Sequence, residues 1–415
     1  MPTTYYLDLS EQFEDKTGLD HTGNQLLGPG GWLVAQDGGG SATALVPGDT
    51  LYVKGQGDQK RLVQVTTTNA QATWAVGDNM RDNGGGAVIW SGPIVRVVST
   101  SIFVIELRIG YEYKDVVTAN GILNATKDPD ETDTLTAKAG VLFAWLIAGT
   151  AGVPISLIGC DAAWTPGTAA VLNGAYTSGA PANQNVLSLA SGAGYLRFTD
   201  LEVKYAVRLM IFVGACPGCY FKRVNLHHAT SHNLYANTLD AGCVWDACKF
   251  NNAGSQAMYR ANGRFINCQM VSNADSGVEL YNVSASVVGC EIRLNALGIT
   301  TAYANTISGN LLDSNTDHQI QVWAAGIGCL VEFNRIIGTA AEKCGIYSDN
   351  VSRSVFAVNN SFENTAGDEL GANVLDGGNW YDEDGTPDWG CVDYAGGDFS
   401  TDPAATRASV AVVSG

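Results

Sequence analysis

The sequence predicts an all-β protein built mainly as a right-handed parallel β-helix, a solenoid whose successive turns stack strand on strand. Three observations predict it. Short apolar strands recur every twenty-odd residues, two registers within each repeat keep pace, and the composition suits many short strands joined by turns.

Of 415 residues, 46% are apolar and only 15% charged, enough apolar surface to offset the entropy of ordering the chain. Glycine is abundant, at 49 residues, without a collagen triplet, and Glu/Lys/Ala/Leu-rich helical stretches are absent. The formal charge of −18, with no basic run, excludes a nucleic-acid footprint and repels anionic membranes. Near Met1 no basic stretch leads into an apolar one, so no secretory signal is expected.

In chain order, Trp32–Ala35 and Val46–Lys54 read as the first strands of the solenoid, within an N-terminal cap spanning 1–57. From 58 to 119 the strands lengthen and alternate: 61–65, 74–78, 87–90, 94–98 and 102–107. With tight glycine turns between them, they predict a small antiparallel β-barrel inserted into the solenoid. The solenoid proper is expected over 120–375. Residues 140–160 carry no charge, yet they hold four glycines and a proline. Gly149-Thr150-Ala151-Gly152 divides them into two strand-length runs, which argues for buried strands and against membrane insertion.

The repeat is clearest after residue 196. One register runs through Val224, Cys248, Cys268, Cys290, Asn310, Asn334 and Asn360, in steps of 24, 20, 22, 20, 24 and 26. Each has an apolar residue two positions on, which places both side chains on one strand face. A second register runs through Leu234, Met258, Val278, Ile299, Ile320 and Ile346. Cys248, Cys268 and Cys290 then stack inward as reduced thiols, about 4.8 Å apart, and not as disulfides. Asn310 and Asn334 continue the column, where amides can bond up and down the stack. The lone Cys216-Pro217-Gly218-Cys219 is weak evidence for zinc or redox chemistry.

Residues 376–415 read as a C-terminal cap and tail. Asp382, Glu383, Asp384 and Asp388 could hold Ca²⁺, as could Asp128, Asp130, Glu131 and Asp133, but neither group fits an EF-hand loop and solvated turns are the better reading. No cofactor is otherwise expected, and no metal ligands are assigned. His227, His228 and His232 form an HHxxxH cluster, but neighbours on a strand face opposite ways, so a shared metal would need a turn.

The outward residues of the second register are Tyr235, Tyr259, Glu279, Thr300, Gln321 and Tyr347, with Tyr281 and Trp323 one step further along. Aromatic faces can pack on sugar rings and carboxylates can bind their hydroxyls, so Tyr235, Tyr259, Glu279, Tyr281, Trp323 and Tyr347 form the candidate carbohydrate surface. The simpler reading is that stacked tyrosines shield a sheet face or a subunit contact. Glycoside hydrolysis needs paired carboxyls, for which Asp275, Glu279 and Asp317 are the candidates. A lyase would need a base, and Arg260 and Arg293 lack a matching carboxylate cluster.

Pro154-Ile155-Ser156-Leu157-Ile158-Gly159-Cys160, the Cys/Asn ladder and Gly397-Asp398-Phe399-Ser400-Thr401-Asp402-Pro403 resemble the pectin-lyase-like right-handed β-helix superfamily, over roughly 30–56 and 120–403. That superfamily includes polysaccharide lyases and hydrolases, bacterial adhesins and bacteriophage tailspikes. A barrel ahead of the helix most resembles proteins of phage particles. The resemblance implies a virion structural protein, a tailspike, fibre or capsid-decorating protein that binds a cell-surface polysaccharide or other virion proteins. It implies a homotrimer, made in the host cytoplasm and displayed on the virion surface. A polysaccharide depolymerase is the alternative, and a bacterial adhesin the third reading.

Overall fold

A computed structural model describes residues 4–8, 19–20, 24–27, 45–55, 62–83, 88–108, 111, 115–117, 121–140, 143–145, 148–173, 185–236, 242–281, 284–323, 328–338, 344–348, 355–363, 368–370 and 374–381. The protein is all-β, a β-helix plus a separate closed six-stranded antiparallel barrel. It divides into two compact units, 1–230 and 231–415.

In the second unit each coil contributes three short strands. One coil comprises Arg264–Ile266, Gln269–Val271 and Ser276–Leu280, and the next Ser286–Val288, Glu291–Arg293 and Leu297–Thr301. Every strand pairs in parallel with its counterpart one coil on, giving a first, second and third sheet. Central residues of the strands point inward, so Phe250, Met270, Ile292, Leu312, Ile336 and Phe362 form one fully buried column. Leu234, Met258, Val278, Ile299, Ile320 and Ile346 form another. Both registers fall where the spacing places them.

The Cys/Asn ladder lies at the bend between the first and second strands. The residue before each member has a left-handed backbone: Ala247 (φ 52°), Asn267 (52°), Gly289 (64°), Gly309 (65°), Phe333 (54°) and Asn359 (52°). The turn aims the ladder side chain into the core, where Asn310 Nδ2 donates to Asn334 Oδ1 (2.8 Å) and to Val287 O (2.9 Å). Asn334 repeats the pattern on Asn360 and Ile307, and Asn360 on Asn379 and Val331. The cysteines do the same with sulfur. Cys268 N donates to Cys290 Sγ (3.3 Å), and Cys268 Sγ donates to Trp245 O (3.4 Å). The eight cysteines whose side chains are described are buried and form no disulfide. Hydrogen bonding to Cys268 and burial hold Cys290 above the ordinary thiol value, and burial pushes Cys329 up to about 12.

A second asparagine ladder, unnoticed in the sequence, caps the second strands. Asn273 donates to Asn295 (2.9 Å) and Asn295 to Asn315 (3.0 Å). It too follows left-handed residues, Ser272, Leu294 and Ser314.

In the first unit, Thr4–Asp8, Thr50–Lys54, Ile155–Cys160, Leu196–Thr199 and Tyr220–Lys222 stack in parallel. The barrel interrupts this stack after Thr50–Lys54. Its strands are Leu62–Thr67, Asn79–Asp82, Ser91–Ser99, Ile102–Glu106, Gly121–Asn124 and Asp128–Gly140. It therefore runs beyond the expected boundary at 119, because Asp128–Gly140 pairs antiparallel with Leu62–Thr67 and closes the ring. Residues 74–78 form turns and not a strand, held by Asp78 Oδ2 accepting from Ala75 N (2.9 Å). Asp133, one of the acidic residues weighed for Ca²⁺, instead accepts from Asn69 and Gln71 across the barrel. Asp382, Glu383, Asp384 and Asp388, the tail beyond them and Trp32–Ala35 lie outside the described residues.

The uncharged stretch 140–160 contains two strands, Phe143–Trp145 and Ile155–Cys160, separated by a turn bridging Thr150 and Val153. Among the described residues no helix is long and apolar enough to cross a membrane.

Candidate functional site

The third sheet of the second unit gathers most of the sequence-predicted site residues. Tyr235 pairs with Tyr259, and their rings stack with centroids 5.0 Å apart and planes at 20°. One coil on, the register shifts between Met258 and Ala261. This bulge puts Arg260 in a left-handed backbone (φ 53°) and turns it onto the same face. Its guanidinium lies 5.0 Å from the Tyr259 ring centroid and 4.9 Å from that of Tyr281, bridging two coils by cation–π contact. His232 packs against both Tyr235 and Tyr259, at 5.3 and 5.2 Å.

Beyond the bulge, Glu279, Thr300, Gln321 and Tyr347 stand in strict register. Glu279 and Thr300 were expected to be open to solvent, and they are not: Glu279 is 5% exposed and Thr300 1%. Gln256, from the preceding coil, reaches over to donate to Glu279 Oε2 (3.5 Å), while Thr300 Oγ1 donates to Val278 O (3.4 Å). Burial pushes the Glu279 carboxyl up to about 7. Arg260 opposes that shift and Asp275 adds to it.

Asp275 and Asp317 stack along one edge of this sheet, two coils apart. Ala296 N donates to Asp275 O (3.1 Å) and Asp317 N to Ala296 O (2.8 Å). At about 4.8 Å per coil their backbones lie roughly 10 Å apart. Asp317 faces its neighbour His318 (Oδ1–Nε2 3.6 Å), and His318 stacks on Tyr347 at 4.7 Å and 6°. Tyr281 also meets Tyr303 edge-on. Trp323, 36% exposed, directly follows the strand His318–Val322. Arg293 lies on the second sheet and pairs with Glu291, so it contributes nothing here.

Sequence reasoning missed the aromatic partners His232 and His318 and the bridging place of Arg260. One signal was available, because aligning Met258 with Val278 leaves Arg260 and Ala261 one residue out of step with Leu280.

In the first unit, Cys216 and Cys219 donate their thiols to the carbonyls of Ala190, Gly214 and Ala193, a turn-stabilising role. Among the described residues no three His, Cys, Asp or Glu side chains gather as a metal site.

Residues 186–336 match the family model of the right-handed β-helix region. No curated protein sequence matches the chain. Among solved structures, the chain is similar to pectate lyase Pel9A (TM-score 0.48, 10% identity, 100% of this chain and 91% of that one). It is also similar to a glycoside hydrolase (0.38, 9%, 90% and 97%) and to the tailspike protein gp49 of Pseudomonas phage LKA1 (0.23, 10%, 88% and 71%). These likenesses carry no assignment of activity.

Proposed function

We propose that this face of the third sheet binds a bacterial surface polysaccharide, and that the protein serves on a bacteriophage particle as a tailspike, fibre or capsid-decorating protein. One observation carries the binding reading: the Tyr235–Tyr259 stack runs into an Arg260 guanidinium held between two tyrosines beside Glu279. Flat aromatic faces suit the apolar faces of sugar rings, and the Arg260 guanidinium suits their hydroxyls. The virion placement, the homotrimer and the other virion partners rest on the superfamily resemblance of the sequence.

A second reading, depolymerisation, has its own support in the Glu279 carboxyl, which burial pushes up to about 7 and so keeps partly protonated at neutral pH. A glycosidase needs one such acid and one ionised carboxylate. Asp275 is close enough to raise the Glu279 value, and Asp317 lies two coils from Asp275.

The test is a panel of bacterial surface polysaccharides, scored for retention by affinity electrophoresis and for chain shortening by size-exclusion chromatography. Binding should fall at least about tenfold in Tyr259→Ala, the loss of one well-placed aromatic contact. Binding that ignores Tyr259→Ala overturns the site. Shortening abolished by Glu279→Gln, with binding retained, establishes the depolymerase. Mass photometry checks the trimer, and a monomer at micromolar concentration removes it.

A further inference from the structure

His227 and His228 are adjacent on the strand Asn225–Ala236, in its first-unit part, and on regular strand their rings would face opposite ways. His228 instead adopts a left-handed backbone (φ 62°), which swings its ring back beside its neighbour. The two Nδ1 atoms come within 2.5 Å, with ring centroids 4.8 Å apart. The far side of His227 is anchored, since its Nε2 lies 3.2 Å from Glu202 Oε1. Lys204 Nζ holds the same carboxylate oxygen at 3.0 Å. The exposed ring of Tyr205, itself at φ 56°, lies 5.3 Å from His228.

We propose that this pair is a chelating site for a divalent first-row transition ion of tetragonal or octahedral preference, Cu²⁺ or Ni²⁺, with water in the remaining positions. Three features point there. Glu202 at Nε2 fixes that nitrogen as the donor and leaves the His227 Nδ1 lone pair facing His228, the carboxylate–imidazole–metal arrangement of bound histidines. Two imidazole nitrogens this close need something positive between them. Finally, ligands about 2.05 Å from a metal lie about 2.9 Å apart across a right angle and about 3.3 Å apart across a tetrahedral one. The first is reached from 2.5 Å by a small rotation of the exposed His228 ring, whose terminal torsion is soft, and the second needs a larger one.

The experiment titrates the full chain with Cu²⁺ at neutral pH and records its electron paramagnetic resonance spectrum. The expected result is one ion per chain with hyperfine structure from two imidazole nitrogens. Affinity should fall at least tenfold in His227→Gln and in His228→Gln, and roughly ten- to a hundredfold in Glu202→Gln, with His318→Gln unchanged. His228 is exposed, so its variant folds and carries the test even if His227→Gln perturbs the strand. Equal binding by His228→Gln, a spectrum lacking two imidazole nitrogens, or no bound ion overturns the proposal and leaves a proton shared between the rings.

Discussion

His228, Arg260 and Glu279 hold conformations or surroundings their residue types disfavour, and all three lie in the sites proposed above. Glu279 gives a pH prediction with a definite sign. Its folded value of about 7 exceeds the ordinary 4.5, so the fold favours the protonated form. The stability it permits is full below about 4.5 and is lost as pH rises through 7. Glu279→Gln should therefore match the parent at pH 4 and exceed it at pH 8 by about 1–3 kcal/mol, read from urea unfolding across pH 4–9. A variant less stable at pH 8 would refute the burial account. The buried thiols give a second prediction at this scale. Eight of the ten cysteines are buried thiols outside any disulfide, so a thiol reagent should modify no more than two per native chain, and all ten after denaturation.

Coils are held in register by the ladders at their bends. Asn334 accepts from the backbone N–H and the amide of Asn310, and donates to Asn360 and Ile307. Asn334→Ala would strand several of these groups in the core, costing about 2–4 kcal/mol. Cys290→Ala removes one weakly bonded sulfur and should cost about half as much, which thermal or urea melts of both variants can check. The ladder was legible in the sequence because its members recur and because Cys and Asn can both fill a narrow inward position. The second ladder, Asn273–Asn295–Asn315, was hidden, since asparagine after a strand reads equally as an exposed turn. The fold-back at His228 was also illegible, because a left-handed residue other than glycine leaves no compositional mark, whereas the bulge at Arg260 left only the one-residue mismatch between neighbouring repeats.

At the scale of the whole molecule, the barrel is a self-contained insertion. Val63, Trp74, Met80, Trp90, Phe103 and Ile122 belong to a core built only from its own residues. Residues 58–141 expressed alone should fold, giving a cooperative thermal transition and the near-ultraviolet dichroism of packed Trp74 and Trp90. A non-cooperative, featureless fragment would show that the barrel depends on the solenoid. From the sequence alone came the solenoid, its two inward registers, the thiols outside disulfides and the presence of a barrel. Those features follow from periodicity, which strand stacking converts directly into position. Tertiary structure alone decided that Glu279 is covered and close to neutral, that Arg260 joins two tyrosines, that His227 and His228 converge, and that the barrel closes with Asp128–Gly140. Each of these depends on residues meeting across coils or on one backbone angle, and neither is written in spacing along the chain.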